Sequence, residues 1–299
     1  MSSSSSVSIT SIVQYAVFAI VAYVLAGAPL QSVFFGSNNG IVKEGLFSGD
    51  KIESLMHPDP NLQCEEHGYK THIFHRDPLV IYIENFLTPE ESNHILQISE
   101  PNWKPSSIWT DGVEHLDETV RKSSKAPLPA EDPVIACLSE RARTFQGWRP
   151  SVFIEKLWSQ RYTKSGHYMY HYDFSNPSPR SGRVSTFMVY ADANCTGGGT
   201  NFPRISAPAS KDWCRFIECE EEGLTDGAGG TVEGVVFKAI KGNAVFWENL
   251  RGDGSGYQET WHAGLPVKEG VKVGLNIWSW FQEGYTGGVA EQEQGKEEA

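Results

Sequence analysis

His171 and Asp173 stand two residues apart in the run Gly166-His167-Tyr168-Met169-Tyr170-His171-Tyr172-Asp173. Alternate residues of an extended chain share a face, so an imidazole and a carboxylate at this spacing can meet one metal ion. Such a pair needs a third ligand from far along the chain. His262, in Glu259-Thr260-Trp261-His262-Ala263-Gly264-Leu265-Pro266-Val267, is the candidate. Two histidines and one carboxylate leave positions open on the ion, which is the facial triad of non-haem Fe(II) oxygenases. Ten residues after His262 comes Lys272, inside the strand-like run 271–280. An ammonium in a barrel strand is costly to bury unless it meets an anion. A dicarboxylate that chelates iron at one end and reaches the lysine at the other would be such an anion.

These residues need a scaffold that brings positions 171, 173, 262 and 272 together. LVIYIENF (79–86) reads as a strand from its β-branched and aromatic content. A helix opens after it, with Thr88 as N-cap, Pro89 at the first helical position, Glu91 closing a capping box, and Ile95, Leu96 and Ile98 inward. Residues 132–146 read as a second amphipathic helix started by Asp132-Pro133. From 151 onward come short strands between Gly, Pro and Asn clusters: SVFIEKLWSQRY, HYMYHYDF, RVSTFMVYAD, NAVFWENL and KVGLNIWSWF. Helices followed by five or more such strands predict a β-sandwich or jelly roll backed by helices. No internal repeat is visible.

The chain of 299 residues carries a net charge of −12, which makes nucleic acid an unsuitable partner. Residues 9–30 form an uncharged apolar run of the roughly 20 residues that cross a bilayer as a helix. It reads as an uncleaved single-pass anchor after a short tail (1–8). A cleaved signal ending at Ala26-Gly27-Ala28 and a buried helix stay open as alternatives. Residues 31–77 read as a stem, 78–283 as the catalytic domain, and 284–299 as an acidic, solvated tail. Among five cysteines, Cys214 and Cys219 are close enough in sequence to cross-link, with reduced thiols the alternative. Asn194-Cys195-Thr196 is a glycosylation sequon, relevant if the domain faces a lumen.

Taken in order, the motifs resemble the catalytic domain of prolyl 4-hydroxylase alpha subunits and the wider family of 2-oxoglutarate- and Fe(II)-dependent dioxygenases. The resemblance covers roughly 78–283: VIYIENFLTPEES, the R-x-S strand at Arg121-Lys122-Ser123, the Arg161-Tyr162 to Asp173 block, GGGTNFP (197–203), KGNAVFW (241–247), and H-A-G-x-P-V followed by the lysine. It implies an α+β, mainly β fold: a double-stranded β-helix (jelly-roll, cupin-like) core backed by helices, here behind an N-terminal transmembrane helix. It implies His171, Asp173 and His262 as iron ligands. Lys272 would pair with the distal carboxylate of 2-oxoglutarate, helped by the Tyr162 and Thr200 hydroxyls, with Trp278 beside the same cosubstrate. Tyr168 would be a cavity wall, and His167 an outer or surface residue. The implied cofactors are Fe(II), 2-oxoglutarate and O2, with L-ascorbate as reductant. The implied reaction is 4-hydroxylation of a peptidyl proline with release of succinate and CO2. Endoplasmic reticulum membrane with a lumenal domain is the expected location.

Two departures bear on substrate. An anchor and short stem stand where vertebrate collagen hydroxylases have a peptide-binding and dimerisation region, which argues against collagen. The insertion 204–236, with its acidic run, resembles fungal-type members; folded over the mouth, it would favour basic substrates. Rival readings are a hydroxylase tailoring a small molecule or free amino acid, and a non-catalytic membrane-tethered binding module. Intact His171, Asp173, His262 and Lys272 argue against the latter.

Overall fold

The structure, a computed structural model, describes residues 49–57, 59, 61–110, 113–149, 151–219 and 230–286. The expected anchor at 9–30, the tail 1–8 and nearly all of the acidic tail lie outside the described residues. Among the described residues no helix is long and apolar enough to cross a membrane.

The first half of the fold contains α1 (Gly49–Glu53), β1 (Lys70–Arg76), β2 (Leu79–Glu84), α2 (Pro89–Ser99), β3 (Lys104–Pro105), β4 (Ile108–Thr110), β5 (Val113–His115), β6 (Arg121–Lys122), β7 (Ser124–Pro127) and α3 (Pro133–Phe145). The described residues of the second half are mainly strand, with two short 3-10 helices at Lys211–Arg215 and Gln258–Thr260: β8 (Val152–Ile154), β9 (Trp158–Tyr162), β10 (His167–His171), β11 (Ser181–Gly197), β12 (Thr200–Phe202), β13 (Val235–Phe237), β14 (Ala244–Glu248), β15 (His262–Gly264) and β16 (Val267–Gln282). The large sheet runs β1-β2-β14-β11-β16-β9-β7-β3, with β8 also on β16; the small one runs β13-β12-β15-β10-β6. The mainly β expectation is borne out.

Strand periodicity divides the large sheet into two unlike faces. On β11, Phe187 and Val189 turn outward to join Ile81, Ile83, Phe246, Leu275 and Ile277 under the helices, whose contribution is Ile95, Ile135, Leu138 and Ala142. Met188 and Tyr190 turn inward with Tyr82, Val245 and Trp247, where they meet Phe202 and Phe237 of the small sheet. Each such fully buried side chain contributes about 1.5–3 kcal/mol.

Both helices start where the sequence predicts. Thr88 Oγ1 accepts from Glu91 N at 3.0 Å, and Glu91 Oε2 accepts from Thr88 N at 2.9 Å, a complete capping box. Asp132 Oδ1 accepts from Val134 N and Ile135 N at 3.0 and 3.2 Å. Arg141, in the third turn of α3, then grips Glu91 with both terminal nitrogens, at 2.8 and 2.6 Å, tying α3 to the start of α2.

The expected stem over 31–77 ends too late. Met56 N donates to Ile154 O at 2.7 Å, Cys64 is disulfide-bonded to Cys137 of α3, and β1 pairs along β2 from Lys70 to Arg76. The domain therefore starts well before residue 78. KTHIFHR gave no strand signal because an edge strand with half-exposed faces keeps its charges. The run SVFIEKLWSQRY is two strands, not one, since Glu155 and Leu157 turn inward between β8 and β9. In the insertion, Cys214 is bonded to Cys219, and Trp213 and Phe216 pack on Phe74 and Tyr82 at the β1–β2 edge. Residues 220–229 of its acidic run lie outside the described residues.

Candidate functional site

β10 and β15 are antiparallel neighbours, and their register sets His171 directly opposite His262. Asp173 lies just past the end of β10, in a bend that swings its carboxylate back between them. The three side chains each offer one ligand atom, all within 4.8 Å of one another. Nε2 of His171 is 3.6 Å from Asp173 Oδ1, and Nε2 of His262 is 3.8 Å from Oδ2. Those gaps are too wide for hydrogen bonds and leave room for an ion.

The surrounding contacts prepare the ligand atoms. Each histidine spends its other nitrogen on a carbonyl: His171 Nδ1 donates to Met169 O at 2.8 Å and His262 Nδ1 to Thr260 O at 2.9 Å. The Nε2 lone pairs are left free, which is the tautomer a metal requires. Burial, aided by His171, pushes His262 down to about 4, so its imidazole is neutral at pH 7. Burial alone would raise Asp173; His262, His171 and Arg183 more than reverse it and keep the carboxylate ionised. Thr186 Oγ1 donates to Asp173 Oδ2 at 2.8 Å and accepts from Asn249 at 2.9 Å. Two imidazoles with Nε2 turned toward the gap and one oriented carboxylate fit Fe(II). His262 and Asp173 are buried and His171 is half-buried, so the open side lies at His171.

Lys272 is 1% exposed, with no acidic partner among the described residues. Its Nζ donates to Gly198 O at 2.6 Å and sits 4.6 Å from the centre of the Tyr162 ring. Desolvation pulls it down to about 8, since no carboxylate among the described residues offsets the burial. A Cβ on Gly264 would lie 3.8 Å from that Nζ. Gly264 pairs with Tyr168 on one side and Thr200 on the other, two residues from His262, so β15 connects the triad to the lysine. Thr200 Oγ1 is 2.8 Å from Tyr190 Oη, a buried partner that periodicity could place inward but not beside Thr200.

A cavity of about 330 Å³ opens on His171 and Asp173, lined also by Trp109, Trp158, Tyr168 and Trp278; His262 and Lys272 lie outside its lining. Tyr168 lines it and stacks on His171 with ring centres 3.8 Å apart. Arg121 covers the other face of this tyrosine at 4.5 Å. Trp278 is in the cavity and carries the guanidinium of Arg183 3.8 Å from its ring centre. Arg183 also donates to the backbone carbonyl of Asp173 at 3.3 Å and pairs through two nitrogens with buried Glu155, at 2.7 and 2.9 Å. Glu155 and Arg183 lie 28 residues apart, and nothing in the local pattern announces the pair. His167 is buried, between Ser165 O at 2.9 Å and Thr119 O at 3.1 Å, and is no part of the cavity lining. Arg161 faces outward to Glu100 and Trp103, so it cannot share the anion with Lys272. Asn194 is exposed on β11.

Residues 157–280 match the model of the 2OG-Fe(II) oxygenase superfamily. The human prolyl 4-hydroxylase subunit alpha-3 is 29% identical over 260 residues, which is 79% of this chain and 41% of that protein. Prolyl 4-hydroxylase 2 of Arabidopsis thaliana is 28% identical over 207 residues, 67% of each chain. This chain thus spans about two fifths of the human relative. Among solved structures, the viral collagen prolyl hydroxylase of Paramecium Bursaria Chlorella virus-1, crystallised with 2OG, aligns with a TM-score of 0.48 at 23% identity, over 68% of this chain and 96% of that one.

Proposed function

We propose, for a chain whose residues 157–280 are a domain of the 2OG-Fe(II) oxygenase superfamily, that it is a prolyl 4-hydroxylase-like dioxygenase hydroxylating a peptidyl proline. The observation that carries this reading is the convergence of His171, Asp173 and His262 near a fully buried lysine that faces no acid among the described residues. His171 and His262 would hold Fe(II) through Nε2 and Asp173 through its carboxylate. Bound Fe(II) would supply the oxidising chemistry, in which O2 drives decarboxylation of 2-oxoglutarate to succinate and CO2 while one C–H bond is hydroxylated.

The chain's own residues bind and orient. Lys272 takes the distal carboxylate of 2-oxoglutarate, with Tyr162 beneath its ammonium and the Tyr190–Thr200 pair closing the same end. Trp278 and Tyr168 wall the reaction space and exclude water from it. A peptide, more than a free amino acid, suits the mouth: Trp109, Val113 and Leu116 on and beside the β4–β5 hairpin are 68%, 64% and 62% exposed, and Trp158 joins Trp109 in the cavity lining. Aromatic-lined grooves receive extended proline-rich segments well, because that conformation is already ordered before binding.

We extend the reading to a membrane-tethered domain in the lumen of the endoplasmic reticulum, with L-ascorbate as reductant. The Cys64–Cys137 and Cys214–Cys219 disulfides support an oxidising compartment. The full chain, supplied with Fe(II), 2-oxoglutarate, ascorbate and a proline-rich peptide library, should release succinate and add one oxygen atom to a peptide proline. His262→Ala should do neither. Turnover in that variant equal to wild type would end the reading.

A further inference from the structure

The segment ahead of the first strand reaches the metal site through buried charge. Backbone bonds fasten it along β8: Met56 N donates to Ile154 O, Lys156 N to Ser54 O, each at 2.7 Å, and Leu55 bridges Glu155. That docking brings Lys51 of α1 to Glu155, with Nζ 2.7 Å from Oε1 and 4.1 Å from the centre of the Trp280 ring. Glu155 is the carboxylate that holds Arg183 by two nitrogens. Arg183 in turn lies on Trp278 and donates to the main-chain carbonyl of Asp173. One carboxylate thus joins a cation from the segment ahead of β1 to a cation touching a triad residue and the cavity wall.

We propose that Lys51 is a positioning residue for the metal site, acting through Glu155 and Arg183 on the backbone of Asp173. The inference rests on the iron-site reading above. A glutamate with Arg183 alone could keep the pair yet tilt with it; Lys51 Nζ shares Oε1 with Arg183 Nε, so the carboxylate is fixed by a second cation anchored on another element. Glu155 has reason to stay ionised there: burial alone would raise it, but Arg183 and Lys51 together bring it below the ordinary glutamate value.

Outer partners of metal ligands shift metal affinity about 10–100-fold when removed. Lys51 stands two contacts further out, so its loss should weaken affinity by roughly three- to tenfold. The test titrates Co(II), in the absence of O2 and of turnover, into the full wild-type chain and into Lys51→Met, Lys51→Arg, Lys156→Met and Arg183→Lys. Lys156 follows Glu155 in the chain but is exposed, so its variant controls for charge alone. We expect weaker Co(II) binding in Lys51→Met, recovery in Lys51→Arg, no change in Lys156→Met, and non-additive losses when Lys51→Met is combined with Arg183→Lys. Wild-type Co(II) affinity in Lys51→Met, even with a lowered melting temperature, would overturn the proposal, because a merely structural lysine gives that result. Additive losses would overturn the route through Arg183. Should Lys51→Met fail to fold, Lys51→Gln, which keeps methylenes against Trp280, reads the same affinity. Co(II) binding by His262→Ala as tight as wild type would mark failure of the iron-site reading itself, a different outcome from an inert Lys51.

Discussion

Replacing Lys272 with methionine should separate what this residue costs the fold from what it contributes to cosubstrate binding. Its fall from 10.5 to about 8 corresponds to about 3 kcal/mol of disfavour for the buried ammonium. The sign follows from proton binding: the unfolded chain holds this proton more tightly, so the penalty is fully present below pH 8 and fades between pH 8 and 10.5. Its hydrogen bond to Gly198 O and its seat on Tyr162 return about 2 kcal/mol. Without 2-oxoglutarate, Lys272→Met should therefore be as stable as wild type or up to about 2 kcal/mol more stable, whereas an ordinary buried truncation costs about 2–5 kcal/mol. Urea denaturation at pH 7 measures this. If Lys272 holds the distal carboxylate as proposed, the same variant should raise the Michaelis constant for 2-oxoglutarate at least about tenfold, the equivalent of 1.4 kcal/mol. In wild type that constant should climb above pH 8, where the free protein loses the ammonium. A variant that loses more than about 2 kcal/mol of stability while keeping its 2-oxoglutarate dependence would refute the reasoning, and Lys272 would be a structural lysine.

Three further outcomes are expected. Trp109→Ala should raise the Michaelis constant for a proline-rich peptide several-fold and leave that for 2-oxoglutarate unchanged; equal shifts in both would remove the hairpin from the peptide path. Cys137→Ser should cost about 2–4 kcal/mol in chemical denaturation, because the Cys64–Cys137 bond closes a long loop; an unchanged midpoint under oxidising conditions would show that the bond does not form. Expressed in a secretory pathway, the chain should remain with membranes after carbonate washing and carry glycan on Asn194; a soluble chain starting at Pro29 or Leu30 would show a cleaved signal.

The clustered His171, Asp173 and His262 were legible because ligand chemistry needs particular types at particular spacings. His171 and Asp173 announce each other within three residues, and a lysine amid apolar strand residues announces burial. The helix starts at Thr88 and Asp132 were legible for the same reason, since caps are local. What stayed hidden was non-local. Glu155 and Arg183 look like surface charges until the fold stacks one on Trp278, and Tyr190 looks like core until Thr200 meets its hydroxyl. The Cys64–Cys137 pair joins a polar segment to a helix, and neither end carries a signal of the other. Even the reasoning for Asp173 was only half right: it shares the face of His171 although it lies beyond the strand that the spacing argument assumed.

Lys272 and Trp278 sit on one unbroken strand, β16, which is flanked along its length by β11 and on its other edge by β9 at 272–276 and β8 at 279–281. An even number of positions separates them, so both point inward, about 20 Å apart along the backbone at roughly 3.3 Å per residue. The strand thus acts as a gauge bar, setting the distance between the buried ammonium of Lys272 and the cavity wall at Trp278. Loops such as 204–236 can lengthen or shrink without changing that distance. Deleting a single residue between 272 and 278 would rotate one of the two side chains into the helix layer, an error no compensating loop could correct. Evolution of new substrates on this scaffold is therefore free at its rims and arrested along this one rod.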